Sequence, residues 1–168
     1  MKKLILVQAT LFLSTISFAQ EKEYTSKEDG FAINYYSNWE VVEQKYNTLS
    51  LFAPPEGPND KQAETLGIDI HDSQGMSLDE YYQTFVNYGG LEELNSYEKL
   101  SEGEETINGL KSKWFECRYK DRGISVTNLI YLIAKGDKMF MLTSFSSTKK
   151  YPKYKDNFIG MIKSFEAI

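Results

Sequence analysis

Apolar side chains at every second position recur along most of the chain and predict a series of β-strands. Phe31, Ile33 and Tyr35 alternate with Ala32 and more polar neighbours, and runs further along show the same period of two. That period places successive side chains on opposite faces of a sheet. The predicted strands span residues 31–36, 39–42, 49–53, 66–71, 96–107, 110–119, 124–134 and 138–145, with a last short one at 166–168. The polar residues 21–29 are interpreted as a lead-in.

Two segments have helical spacing instead. Ser77 is followed three residues later by Glu80, which is the pattern of a capping box. Apolar residues at positions 78, 81, 82, 85 and 86 then form one face, and the glycines at 89 and 90 end the helix. A second helix begins at Tyr151 and keeps apolar residues near one face as far as Phe165.

The connections between strands predict how the sheet is built. Asn108-Gly109 is the strongest short signal for a hairpin, and the other strands of this region are joined by similarly short turns. Strands so close in sequence must pair antiparallel. Residues 124–134 are apolar at both odd and even positions, which is typical of a central strand covered on both faces. These features predict an α+β protein: an α/β/α sandwich with one antiparallel sheet of about six to seven strands and helices on both faces.

The first nineteen residues have the pattern of a secretory signal peptide. Lys2 and Lys3 precede a mostly apolar run, and Ser17 and Ala19 are the small residues expected before a cleavage site. The run is interrupted by polar residues and is shorter than the roughly 20 apolar residues that a membrane span needs. We therefore predict a signal peptide at 1–19 and a single domain at 20–168. The product is expected to be soluble, periplasmic or secreted, with no transmembrane segment after cleavage.

Charge and cysteine content narrow the function classes. The formal net charge of the chain is −5, whereas proteins that recognise nucleic acid present a basic face. Cys117 is the only cysteine, so the chain can form no internal disulfide and no cysteine-rich zinc site. It also lies far from the cleavage point, which argues against a lipoprotein.

Two places could carry chemistry. Asp69, His71 and Asp72 offer imidazole and carboxylate groups of the kind that bind divalent metals. The alternative interpretation is a solvated strand end without a metal. Cys117 could act as a nucleophile with His71 as its base, but its alternation with Phe115 predicts a core position. The sequence has none of the glycine-rich motifs of serine hydrolases, phosphate loops or dinucleotide sites. We expect no catalytic residue, no cofactor and no firm metal site.

Aromatic and acidic clusters raise the question of an interface. Twelve tyrosines are present, and surface tyrosines favour binding because they combine contact area with a polar tip. Tyr35 and Tyr36 are the candidates for an interface, whereas tyrosines at 81, 82 and 154 are predicted to pack into the core. The acidic residues between Glu102 and Glu105 are interpreted as a solvated edge that discourages strand aggregation.

Five stretches of the sequence resemble the elements of one known family. "GFAINYYSNWE" at 30–40 resembles the opening strand and turn of the PsbP-like family, whose fold is shared with Mog proteins, and "SLDEYYQTFVNY" at 77–88 resembles the first helix of that family. "INGLKSKWFECRY", "KMFMLTSFSS" and "YPKYKDNFIGMIKSF" resemble its hairpin, closing strand and last helix. The resemblance covers nearly all of the chain after the signal, and Tyr36 stands where the family often has a proline.

The resemblance implies a fold and a non-catalytic tendency, and it implies no particular activity. Members of the family bind other proteins. The family has a photosynthetic and a nuclear branch, and this chain contains no partner-binding motif of either. We therefore expect an exported, non-catalytic binding or accessory protein of the cell envelope whose partner is another protein. The alternatives are a hydrolase or redox enzyme that uses Cys117 or His71, and a metal-dependent accessory protein.

Overall fold

Two antiparallel sheets and two α-helices make up the part of the chain that the structure describes. The computed structural model describes residues 20–43, 49–58, 60 and 64–168. The predicted signal peptide lies outside these residues. Within them, neither helix combines the length and the apolar character needed to cross a membrane.

The elements follow the predicted order closely. In chain order they are β1 (Glu21–Ser26), β2 (Phe31–Tyr36), β3 (Glu40–Val42), β4 (Leu49–Phe52), β5 (Thr65–Asp72), α1 (Leu78–Tyr88), a short 3-10 helix (Leu91–Glu93), β6 (Glu98–Ile107), β7 (Leu110–Asp121), β8 (Ile124–Lys135), β9 (Lys138–Ser147), α2 (Tyr151–Lys163) and β10 (Glu166–Ala167).

The large sheet has seven strands in the order β3-β4-β5-β9-β8-β7-β6, and every pair in it is antiparallel. The hairpins β6–β7, β7–β8 and β8–β9 are each closed by a tight turn, which fixes their registers. β8 lies inside the sheet, and its residues from Val126 to Ile133 are buried whichever face they point to. By contrast, β6 forms one edge of the sheet and is mostly exposed.

The helices cover opposite faces of this sheet. Leu129, Tyr131 and Ile133 of β8 pack into a cluster with α2, whereas the intervening Ile130 and Leu132 pack into a second cluster with Tyr82 of α1. A strand that alternates between two apolar clusters must be apolar on both faces, as the sequence is. The predicted α/β/α sandwich, with helices on both faces of an antiparallel sheet of about six to seven strands, is therefore confirmed.

The prediction of one sheet only was wrong. β2 pairs with β1 on one side and with β10 on the other, and these three strands form a separate small sheet. Phe31 and Ile33 of β2 pack into the same cluster as α2. The prediction that residues 21–29 are only a lead-in was also wrong. β1 carries a single large apolar residue, Tyr24, so its strand state depends on pairing with β2 and not on its own periodicity.

Candidate functional site

An open groove runs between α1 and the edge strand β6. It consists of two adjoining cavities of about 490 Å³ and 230 Å³, both of which are lined by Glu104 and Lys113. α1 supplies one wall of the groove with Asp79 and Tyr82, and β6 supplies the other. We call it the α1–β6 groove.

Local sequence signals position both walls. The capping box forms as predicted: Ser77 Oγ accepts from the backbone N–H of Glu80 at 3.3 Å, and Ser77 N–H donates to Glu80 Oε2 at 2.8 Å. This cap begins α1 beside β7 and sets the turn of helix that carries Asp79. On β6 the strand period of two turns Glu102 and Glu104 toward α1, while Glu105 points to the other face and accepts from Tyr131 at 2.6 Å.

Lys113 of β7 forms the floor of the groove and joins its two walls. Its Nζ lies 2.7 Å from Asp79 Oδ1 and also contacts Glu104 Oε1. The Lys113 side chain is only 15% exposed, whereas Asp79 and Glu104 are 76% and 70% exposed. Hydrogen bonds to these carboxylates raise the pKa of Lys113. One ammonium is therefore shared by two carboxylates that remain open to solvent.

A second pair of contacts fastens β6 to α1. Tyr82 Oη donates to Glu102 Oε2 at 2.5 Å, and Lys99 Nζ lies 2.8 Å from the same oxygen. The hydrogen bond from Lys99, followed by that from Tyr82, lowers the pKa of Glu102. Burial and the contact with Glu102 raise the pKa of Tyr82. The groove thus presents three carboxylates, those of Asp79, Glu102 and Glu104, each of which contacts a lysine.

An aromatic ring lies across the opposite face of β6. Gly103 pairs with Trp114, and the indole lies so close over the glycine that a Cβ atom there would stand 2.8 Å from Trp114 Cζ2. The ring stacks on Tyr131 with centroids 6.2 Å apart and remains partly exposed. Because glycine has no side chain, the indole extends over the edge strand.

Only two of the three predicted metal ligands lie on the same face of β5. Asp69 and His71 share the face that is turned toward α1, where the His71 ring lies 6.4 Å from that of Tyr81. Asp72 instead accepts from the backbone N–H of Gln74 at 2.7 Å. Burial raises the pKa of Asp69, and His71 acts against that shift. Among the described residues, no three His, Cys, Asp or Glu side chains are grouped so that they could hold a metal ion. The metal hypothesis stays a prediction.

Cys117 has none of the properties of a nucleophile. It is fully buried in the cluster beneath α1, and burial raises the pKa of its thiol to about 12. A reactive cysteine needs a lowered pKa and access to solvent. Register also separates it from His71. Cys117 on β7 is level with Asn128 of β8. His71 on β5 is level with Met139 of β9 and, through it, with Ala134 of β8. His71 is therefore three strands away from Cys117 and six residues further along. These offsets place the two more than about 20 Å apart, so the proposed Cys117–His71 pair does not exist.

Tyr35 and Tyr36 lie outside the α1–β6 groove. Both belong to the small sheet and are half-buried against the cluster of α2. Tyr36 packs on Trp39 with ring centroids 6.4 Å apart, and burial raises the pKa of its hydroxyl. As an interface, this pair stays a prediction.

The residues of the groove were not selected from the sequence. The sequence predicts Tyr82 in the core and the acidic run of β6 at a solvated edge, and Tyr82 is buried while β6 is mostly exposed. Asp79 and Lys113 are far apart in the chain and only the docking of α1 brings them together. The available signal was the charge alternation of the β6–β7 hairpin, in which Lys113 faces Glu104.

Comparison with known proteins identifies the fold. Neither the family models nor the curated proteins give a match. Among solved structures, the cyanobacterial PsbP (CyanoP) of Synechocystis sp. PCC 6803 superposes with a TM-score of 0.66 at 14% identity, covering 92% of this chain and 96% of that one. The chain has the PsbP-like fold.

Two further structures with the PsbP-like fold match across most of their length. LpqN of Mycobacterium tuberculosis, described as involved in cell envelope biogenesis, gives a TM-score of 0.69 at 13% identity, with 87% of this chain and 89% of that chain covered. The Saccharomyces cerevisiae Ran-binding protein Mog1p gives 0.60 at 13% identity, with 89% and 96% covered. The resemblance seen in the sequence is therefore confirmed at the level of the fold.

Proposed function

We propose that this protein is an exported, non-catalytic accessory protein of the cell envelope that binds another protein through the α1–β6 groove. The observation that carries the proposal is the groove itself. It is large, lies open beside a sheet edge, and is walled by exposed carboxylates that Lys113 holds in place.

The character of the groove favours a protein over a small molecule. Sites for small ligands enclose most of the ligand surface within apolar walls. Here Asp79 and Glu104 stand exposed on opposite walls. Charged groups arranged in this way steer and select a protein partner of complementary charge.

Two further observations support an accessory role. The only cysteine is a buried thiol with a raised pKa, which argues against the alternative of a cysteine enzyme. In addition, two proteins of the same fold are described as a Ran-binding protein and as involved in envelope biogenesis. Those descriptions belong to those proteins, and they make a binding role in the envelope a reasonable assignment for this chain.

Export is part of the proposal and has its own test. The full chain, produced in a bacterium with a working secretion system, is expected to lose residues 1–19. Mass spectrometry of the exported protein should give a mature chain that starts at Gln20. A cytoplasmic product with its first nineteen residues intact would overturn the assignment to the envelope.

Site-specific photo-crosslinking in the native cell tests the binding role. A photoreactive amino acid replaces Gln83, an exposed residue of the groove wall, and in a matched control it replaces Lys149, which is exposed beside the start of α2. We expect a discrete crosslinked protein from position 83 and none from position 149. The same products from both positions, or none from either, would contradict binding through the groove.

A further inference from the structure

We propose that the partner contributes a basic, extended segment that adds to β6 as a further strand of the large sheet. This inference rests on the proposed function, because it names the kind of segment that the α1–β6 groove binds. Four observations carry it: a free edge, the direction of its backbone groups, its charge, and the indole of Trp114.

The edge is free along its length in the part of the chain described. β6 has ten residues and pairs there only with β7. A bulge between Lys99 and Ser101 interrupts the register, and the ladder is regular from Ser101 to Ile107. A regular edge of this length presents hydrogen-bonding groups that another strand can use.

The closing turn determines which groups point outward. Asn108 and Gly109 both have positive φ, at 46° and 83°, as a two-residue hairpin turn requires. Such a turn makes Ile107 and Leu110 a hydrogen-bonded pair, and bonded pairs then alternate along the ladder. The backbone N–H and C=O groups of Glu102, Glu104 and Thr106 consequently point away from β7.

The side chains of two of these residues select for positive charge. Glu102 and Glu104 point toward α1, so the side chains of an added strand beside them would lie over the α1–β6 groove. β6 carries four glutamates and one lysine. A second copy of the same strand would place like charges side by side, which is destabilising, whereas a segment rich in lysine or arginine is attracted.

Trp114 adds a contact on the other face. Its indole lies over Gly103 and reaches toward the free edge. A side chain of the added strand next to Gly103 would contact this ring. The fitting segment therefore alternates basic residues on the groove side with apolar residues on the Trp114 side.

A peptide titration tests the inference directly. The probe is a fluorescein-labelled decapeptide in which lysine alternates with valine and threonine, and the control peptide has glutamate in place of lysine. With the mature protein, fluorescence anisotropy should show saturable binding of the basic peptide, weakening as salt rises, and no binding of the acidic one.

Two substitutions at one position separate charge from backbone pairing. Glu104→Ala removes the carboxylate and keeps the outward N–H, whereas Glu104→Pro removes both. Proline is tolerated on an edge strand where its nitrogen faces solvent. We expect Glu104→Ala to weaken binding about threefold and Glu104→Pro about tenfold further, as loss of one backbone hydrogen bond predicts. Equal binding by the two variants would overturn strand addition.

A modified probe makes the test independent of how the proline variant folds. The same basic peptide is N-methylated at every second residue in two versions, or phases: one at the odd positions and one at the even positions. Each version lacks the N–H donors along one edge of the peptide strand. One phase should bind wild-type protein at least about tenfold more weakly, and the other phase should bind like the parent. If both phases bind like the parent, the contact is electrostatic only and the strand proposal is wrong.

The two proposals fail in different ways. Absence of any binding by the basic peptide overturns the inference about the occupant. The crosslink from position 83 does not depend on that peptide, so a discrete partner there would leave the proposed function standing. Absence of a crosslink from position 83 would overturn both proposals.

Discussion

Gly103 lies directly beneath the indole of Trp114, and this contact shapes the free edge of the large sheet. A Cβ atom on Gly103 would stand 2.8 Å from Cζ2 and 2.9 Å from Cε2 of the ring. Carbon atoms do not approach so closely, so any larger residue must push the indole off the strand. The glycine thus lets an aromatic ring cover the edge strand.

We expect Gly103→Ala to destabilise the protein by about 1–2 kcal/mol, because the added methyl group overpacks against the ring. Urea unfolding measures the loss, and the emission of Trp114 should shift. Gly67→Ala is the matched control, since a Cβ on that strand glycine has its nearest neighbour at 3.9 Å, Thr143 O. Equal effects at the two positions would contradict this account.

Tyr82→Phe tests the hydrogen bond that fastens β6 to α1. Tyr82 Oη donates to the Glu102 carboxylate at 2.5 Å. A hydrogen bond to a charged group is worth about 1.5–3 kcal/mol, and the exposure of Glu102 favours the lower end. Tyr81→Phe serves as the control, because no hydrogen bond of the Tyr81 hydroxyl is found among the described residues. A loss at Tyr81 as large as that at Tyr82 would argue against the hydrogen bond.

Glu102 also predicts how stability depends on pH. Lys99 and Tyr82 lower the pKa of its carboxyl from the ordinary 4.5 in the folded protein. A lowered folded-state pKa contributes stability that is present above 4.5 and is lost as pH falls through the folded value. Between about pH 5 and pH 3, the unfolding free energy of wild type should therefore drop more steeply than that of Glu102→Gln. Parallel curves for the two proteins would refute this prediction.

The buried carboxylate of Glu64 makes Lys150, the residue just before α2, important for stability. Glu64 is 1% exposed, and its Oε2 lies 3.3 Å from Lys150 Nζ, which also contacts Asp60 Oδ1 at 2.7 Å. Lys150→Ala leaves Glu64 buried without its cation and should cost about 3 kcal/mol in urea unfolding. Lys149→Ala changes an exposed neighbour and should stay within about 0.5 kcal/mol. If the two substitutions cost the same, Glu64 does not depend on Lys150.

The thiol of Cys117 should be nearly inert in the folded protein. Burial raises its pKa to about 12 and removes it from solvent. At pH 8 a disulfide reagent such as Ellman's should react with native protein at least about 100-fold more slowly than with protein unfolded in urea. Reaction at similar rates would mean that Cys117 is accessible and would revive the enzyme hypothesis.

Local sequence patterns were sufficient to predict most of the strands and both α-helices. The capping box of Ser77 and Glu80, the Asn108-Gly109 turn and the two-sided apolar character of residues 124–134 each act through neighbours in the chain. They determined the position of α1, the register of β6 on β7 and the central place of β8. A single sequence was thus enough to predict an α/β/α sandwich.

Tertiary structure alone decided the second sheet and the groove. β1 is a strand only because β2 lies beside it, and Asp79 meets Lys113 only because α1 docks on β7. Contacts between residues distant in the chain leave no periodic trace in the sequence, since each partner alone has the pattern of an ordinary surface residue. Apart from β1, the sequence by itself therefore determined which strands and α-helices form and which faces they bury. Only their packing decided which charges and rings come together at the free edge of β6.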